Sequence, residues 1–160
     1  MKKMNKKGFT LIELLAIIVI LAIIAVITVP IILNIIDEAR KGAEKNSVIG
    51  YGKAVELAYT QYQYDKSLGT TSNSHVDTAT STDLTDNINA GKTISVVIDN
   101  DTEHPVNLKV DFDGDKVVCT PTGTNKNTIE AGKVSLKGCA VNGSTTTTYN
   151  YGEGKATPAS

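Results

Sequence analysis

The sequence contains no tryptophan, and aromatic residues make up only 5% of its 160 residues. A hydrophobic core must therefore be built mainly from Val, Ile, Leu, Ala and Tyr. Only two cysteines are present, Cys119 and Cys139, and the absence of a Cys-x-x-Cys motif argues against a thiol redox centre or a zinc site. If this region lies outside the cell, the two cysteines can form one disulfide.

Signals of catalysis are also missing. No phosphate-binding loop, Ser/His/Asp triad or carboxylate pair stands out, and His75 and His104 lack a paired nucleophile or metal ligand. The formal net charge of −1 gives no reason to expect a nucleic acid or another strongly charged partner. We therefore expect a protein that is not an enzyme, has no cofactor or metal site and needs no nucleic acid.

Charged residues are absent from 14–36, which form one long apolar run. As a helix this run would measure roughly 35 Å, enough to cross a hydrocarbon core of about 30 Å. Four lysines and no acid occur in residues 1–8, which places the N-terminus in the cytoplasm and the rest of the chain outside. The alternative is an ordinary secretory signal peptide. The length of the run, the lack of an Ala-x-Ala site and the acid Glu13 at its start count against it.

Pro30 interrupts the backbone hydrogen bonding of this run. It cannot donate to the carbonyl of Val26, so the helix should kink or loosen there. One interpretation is a hinge, and the other is the general abundance of proline in membrane helices.

Beyond Ile36, apolar or small residues recur at spacings of three and four, which predicts that the helix continues to about residue 65 with an amphipathic second half. A soluble domain is expected to pack on that half only.

The rest of the chain changes from helix to strand patterns. Residues 67–91 are rich in Ser, Thr, Asp and Asn, which predicts a connecting loop with one or two helical turns at 81–91. Strands are predicted at 93–98, 106–112, 116–120, 132–141 and 145–151. Asp113-Gly114 predicts a hairpin turn between the second and third strands, and 152–160 are expected to fray. These patterns predict an α+β fold, in which a small antiparallel β-sheet packs on a long N-terminal helix.

The stretch Lys7-Gly8-Phe9-Thr10-Leu11-Ile12-Glu13, followed by the apolar run with Pro30, resembles the N-terminus of type IV pilins and their close relatives. The resemblance implies a basic leader peptide, residues 1–8, which prepilin peptidase removes by cutting between Gly8 and Phe9. It further implies N-methylation of Phe9. The specific similarity covers residues 6–36.

The resemblance also assigns roles in assembly. Glu13 falls on the fifth residue after the cut, where the family carries an acid, and it could pair with the Phe9 amine of an adjacent subunit. The alternative for Glu13 is an interfacial side chain that reaches into lipid head groups. Pro30 is shared with the family in the later part of the hydrophobic segment and is the second assembly residue that we predict.

The resemblance implies the pilin lollipop fold, a helical spine carrying a small globular head. The expected parts are a leader (1–8), a transmembrane and filament-core helix (9–36), an amphipathic helix (37–66), and a β-sheet head with a loop and a C-terminal disulfide region (67–160). The Cys119–Cys139 disulfide is then a structural staple worth about 3 kcal/mol, with two free thiols as the alternative.

The segment Asp111–Asp115 resembles half of a calcium loop but lacks the later Glu, and a hairpin turn accounts for it better.

The expected partners are copies of the same chain, prepilin peptidase/methyltransferase, and the assembly ATPase and membrane platform protein of the pilus machine. The prepilin is expected in the inner or cytoplasmic membrane and the assembled subunit in an extracellular pilus. The resemblance predicts a structural subunit of a type IV pilus (fimbrium) for cell adhesion, twitching motility, aggregation or DNA uptake. Two alternatives stay open. One is a pseudopilin of a type II secretion or competence system, and the other is a membrane-anchored binding module that does not polymerise.

Overall fold

The computed structural model describes residues 8–69, 93–103, 105–122, 125–144 and 147–159. Within them lie one helix and seven strands: α1 Leu11–Ser67, β1 Thr93–Ile98, β2 Val106–Lys109, β3 Val117–Cys119, β4 Thr128–Glu130, β5 Lys133–Val141, β6 Tyr149–Gly152 and β7 Lys155–Pro158. The chain divides into two compact units, Met1–Lys41 and Gly42–Ser160. The predicted α+β class and the long N-terminal helix are confirmed.

In the first unit, α1 is apolar on all sides through residue 36. Every residue from Gly8 to Lys41 is exposed. The helix continues through Pro30, as the periodicity predicted, and the kink or loosening expected there stays a prediction. The one hydroxyl within the uncharged run belongs to Thr28, and it donates to the carbonyl of Ile24 at 2.9 Å. An apolar surface of this extent is unfavourable in water, so lipid or another protein must cover it.

In the second unit, α1 packs one face on the sheet, which confirms the prediction that burial is restricted to its later half. The buried helix residues are Val48, Tyr51, Gly52, Val55, Ala58 and Tyr59. They meet a core that includes Leu108, Ile129 and Leu136, each with no exposed surface. The spacings of three and four along the helix explain why these side chains share one face.

Two tyrosines of β6 join the sheet to α1 by hydrogen bonds. The Tyr151 hydroxyl donates to Glu56 at 2.8 Å, and the Tyr149 hydroxyl donates to Glu44 at 3.4 Å. Burial of the rings, and then the neighbouring carboxylates, raise the pKa of both tyrosines above the ordinary value. Because both hydroxyls stay protonated at neutral pH, they can donate to the helix.

The seven strands form one mixed sheet. Its order is β2-β1-β4-β5-β6-β7, and β3 pairs with β5 off this path. All pairs are antiparallel except β1 with β4, where Val97 lies opposite Thr128 and Ile98 opposite Ile129. The prediction of an antiparallel sheet is therefore wrong at this pair. β4 follows two intervening strands, and this longer connection lets it enter beside β1 in the same direction.

The predicted hairpin at Asp113-Gly114 is wrong. β2 pairs with β1, and β3 pairs with β5, so β2 and β3 do not form a ladder with each other. β2 also ends at Lys109 rather than at 112 because the chain turns the Phe112 ring towards α1, where it lies 5.6 Å from the Tyr51 ring, edge to face. An aromatic pair of this geometry stabilises a bend that the Asp-Gly signal alone does not reveal.

The C-terminal segment forms a strand, so the prediction that 152–160 fray is wrong. β6 and β7 are joined by Glu153-Gly154, both with positive φ, 50° and 74°. This is the backbone of a tight hairpin turn, for which Asn-Gly is the usual signal. Ala156 of β7 is buried in the core.

The strands predicted at 93–98, 116–120 and 132–141 are found within one residue of their expected bounds, whereas the strand predicted at 145–151 is observed at Tyr149–Gly152. The short strand β4 was not predicted, and it is joined to β5 by Ala131-Gly132, again with positive φ at both residues. Several predictions concern residues outside those that the structure describes: residues 1–7 of the leader, the connecting loop from 70 onwards with its helical turns, and both histidines.

Candidate functional site

The candidate processing site lies just before α1. Gly8 and Phe9 precede the helix, and Phe9 is 80% exposed. A Cβ added at Gly8 would meet nothing within 4 Å. Neither packing nor a left-handed backbone therefore requires glycine there. A requirement imposed from outside the chain, such as a narrow peptidase site, is compatible with this geometry.

The first turn of α1 is closed by a capping box between Thr10 and Glu13. The Thr10 N–H and the Thr10 hydroxyl each donate to the Glu13 carboxylate at 2.8 Å. In return, the Glu13 N–H donates to the Thr10 hydroxyl oxygen at 3.4 Å. The pattern Thr-x-x-Glu before an apolar run is the sequence signal for this cap, and it was missed. Glu13 therefore has a local structural role in addition to the predicted role in assembly.

The structure does not bring the two predicted assembly residues together. Pro30 lies 17 positions beyond Glu13 on the same helix, which corresponds to about 25 Å along its axis. Glu13 can therefore act at one end of the apolar run and Pro30 within it. The processing and assembly roles of Gly8, Phe9, Glu13 and Pro30 stay predictions.

The two cysteines are joined by a disulfide in the second unit. Cys119 of β3 and Cys139 of β5 are direct cross-strand partners, with 3.8 Å between their Cα atoms. The bond encloses residues 120–138, and Cys139 is fully buried. The buried Asn127 holds this segment from within, because its amide donates to the Cys119 carbonyl at 3.4 Å and accepts from the Lys137 N–H at 2.9 Å.

The segment compared with a calcium loop is engaged in protein contacts. The Asp115 carboxylate accepts from the Ser47 hydroxyl at 2.7 Å and from the Asn142 amide at 3.3 Å. These two hydrogen bonds, that from Ser47 first, lower the pKa of Asp115. Among the described residues, no group of three or more His, Cys, Asp or Glu side chains is arranged to hold a metal ion.

Comparison with known proteins adds one finding. Residues 3–29 match the family model of the prokaryotic N-terminal methylation motif. No curated protein and no solved structure matches the chain. Among the described residues, α1 is the one helix long and apolar enough to cross a membrane, a criterion that signal sequences also meet.

The methylation motif at residues 3–29 and the apolar helix indicate a prepilin-type protein, either pilin-like or a pseudopilin. The chain is consistent with the type IV pilin family. The motif implies processing by a prepilin peptidase, and with the apolar helix it indicates membrane anchoring.

Proposed function

We propose that this protein is a structural, non-catalytic subunit of a type IV pilus, cut between Gly8 and Phe9, methylated on Phe9 and polymerised into a surface filament. One observation carries the proposal. The methylation motif covers residues 3–29, and the apolar residues of α1 through Ile36 are exposed on every side. A secretory signal peptide is discarded after cleavage, whereas a cut before this helix leaves the helix in the mature chain.

Cleavage converts Phe9 into the N-terminus and creates a positive amine beside the apolar run. Glu13 of an adjacent subunit supplies the opposite charge. Two such charges 4 Å apart gain about 4 kcal/mol at an effective dielectric constant of 20. Part of this gain is offset by the desolvation of both groups. Because the pair forms only between subunits, it favours assembly and sets the axial offset between neighbours.

The apolar run supplies the remaining driving force. Burial of apolar side chains stabilises by roughly 25 cal/mol per Å² removed from water, and a helix that is apolar all round can bury several faces against neighbouring copies. In the membrane the same surface is already covered by lipid. Extraction therefore requires work, which we assign to an assembly ATPase acting through a membrane platform protein.

The second unit is then the part that the filament displays at the cell surface. Its disulfide-bounded segment, 120–138, includes the exposed side chains of Lys126, Glu130 and Lys133. We propose that this surface serves adhesion, twitching motility, aggregation or DNA uptake. The packing and disulfide contacts described above stabilise this unit.

Electron microscopy of material sheared from the cell surface, with mass spectrometry of its N-terminal peptide, tests the proposal. We expect long filaments whose subunits begin at N-methylated Phe9. Processed subunits with no surface filaments, found together with a secretion or competence apparatus, would favour a pseudopilin. Cell-associated protein that retains residues 1–8 would contradict the proposal and favour an anchored binding module.

A further inference from the structure

The uncharged run 14–36 contains two side chains with hydrogen-bonding groups, Thr28 and Asn34. The Thr28 hydroxyl is satisfied within its own helix by the carbonyl of Ile24. Asn34 is exposed, and its amide makes no hydrogen bond within the part of the chain that the structure describes. The two polar residues therefore differ: only Asn34 presents a free donor on the helix surface.

The same helix carries a backbone acceptor that has lost its regular donor. Proline has no N–H, so Pro30 cannot donate to the carbonyl of Val26, four residues earlier. Among the large apolar residues of the run, Val26 is the most exposed, at 76% compared with 60% for Ile27 and 52% for Val29. A neighbouring chain can approach the helix at this point.

The donor and the acceptor lie on one side of α1. Val26, Pro30 and Asn34 follow one another at intervals of four, which keeps them on adjacent positions of the helix surface. The eight residues between Val26 and Asn34 correspond to about 12 Å along the axis, too far for a bond within one chain.

We propose that, in the filament, the Asn34 amide of one copy donates to the Val26 carbonyl of a second copy of this chain. The inference rests on the proposed function, because it requires the apolar runs to pack together. Two parallel helices displaced along their axes by about 12 Å bring the two groups to the same level. The four residues between Phe9 and Glu13 correspond to about 6 Å, so the two contacts join different pairs of neighbours. A second copy is the occupant because an identical helix offers the matching group, whereas lipid hydrocarbon offers none.

This pairing depends on assembly. About 20 residues span the hydrocarbon core, so a helix that enters it at Leu14 leaves it near Leu33. Asn34 of the membrane-inserted subunit then lies at the outer interface, where water and head groups satisfy its amide. Among bundled apolar helices the same amide needs a protein partner, and polar side chains in this setting hold helices together.

The test compares filaments of the full-length wild type, Asn34→Leu and Thr28→Val, with subunit release in a mild detergent as the measurement. We expect Asn34→Leu to accelerate release on the order of three- to tenfold, the range for one hydrogen bond between helices. Thr28→Val is the matched control and leaves release unchanged, because its hydroxyl is already satisfied. Membrane level and leader removal, followed by immunoblotting, should equal those of the wild type.

Pro30→Ala identifies the acceptor. Alanine restores the N–H that satisfies Val26, so Asn34→Leu should have no further effect in the Pro30→Ala background. An equal effect in both backgrounds overturns the pairing, as does unchanged release in Asn34→Leu alone. If Pro30→Ala blocks assembly, oxidised filaments of Val26→Cys/Asn34→Cys must contain covalent dimers. The absence of covalent dimers also overturns the pairing.

Absence of filaments from the wild type refutes the proposed function itself. Wild-type filaments with unchanged release in Asn34→Leu refute only the pairing.

Discussion

The Glu13 carboxylate accepts two hydrogen bonds from Thr10, each of 2.8 Å, at the start of α1. The acid predicted to pair between subunits is therefore already engaged within its own chain. Removal of such a cap costs about 1 kcal/mol, whereas an ion pair at 4 Å gains about 4 kcal/mol before desolvation. In the proposed filament, exchange of partners is favourable if desolvation offsets less than about 3 kcal/mol of that gain.

Substitutions at these two residues separate charge from capping. Glu13→Gln retains an oxygen that can cap the helix but removes the charge, so we expect normal insertion and leader removal without filaments. Thr10→Val removes the two hydrogen bonds of the hydroxyl from the cap, retains the charge and should still form filaments. Electron microscopy and immunoblotting of membranes measure both results. Abundant filaments from Glu13→Gln would contradict the role of charge.

Removal of the disulfide should destabilise the second unit. Cys119→Ser/Cys139→Ala opens the loop of residues 120–138, and we expect the free energy of unfolding to fall by about 3 kcal/mol. The measurement is denaturant unfolding of the full chain in detergent micelles, compared with the wild type under oxidising and reducing conditions. Helical circular dichroism should persist, since no disulfide restrains α1. A midpoint in the reduced wild type equal to the oxidised value would contradict the prediction.

Two helix glycines should respond to alanine in opposite directions. A Cβ at Gly52 would lie 2.5 Å from three ring atoms of Tyr151, a buried ring whose hydroxyl is held by Glu56. We expect Gly52→Ala to cost about 1–3 kcal/mol through overpacking. Gly42→Ala meets nothing within 4 Å and should gain up to about 1 kcal/mol from helix propensity. Denaturant unfolding of both variants checks the sign of each change.

Buried tyrosine should make the second unit sensitive to alkaline pH. Burial raises the pKa of Tyr51 from 10.0 to about 12. Above pH 10 the unfolded chain loses this proton before the folded chain does, so stability falls until about pH 12. Tyr51→Phe retains the ring contact with Phe112 and should remove about 2–3 kcal/mol of this loss. Unfolding free energies measured across this range test it, with exposed Tyr64→Phe as the control. An unchanged slope in Tyr51→Phe would contradict it.

Several strand positions were predictable because the pattern along the chain is local. β1 was placed at its observed bounds, and β5 was placed to within one residue, since buried and exposed side chains alternate along a half-buried strand. The Asp113-Gly114 signal failed because the contact between Phe112 and Tyr51 joins distant parts of the chain. The strand β7 was missed because Glu153 in its turn is an uncommon residue for a positive φ.

The candidate site was only partly accessible to sequence reasoning. Gly8, Phe9 and Glu13 were singled out by motif, and the family match covers them. The cap on Glu13 could also have been predicted from the pattern Thr-x-x-Glu, but it was missed. The constraint on Gly52 required the position of the Tyr151 ring, which no local pattern contains.

The sequence by itself determined the prepilin-type N-terminus, the uncharged apolar run and the helix with its amphipathic later half. These follow from the order of residues and from helical periodicity, which need no distant partner. Only the tertiary structure decided the pairing of β3 with β5, the parallel pair β1–β4, and the place of β7 in the sheet. The physical reason is that alternation shows which face of a strand is buried but leaves its neighbour open. That choice depends on distant contacts: the ring of Phe112 against α1 and Cys139 opposite Cys119.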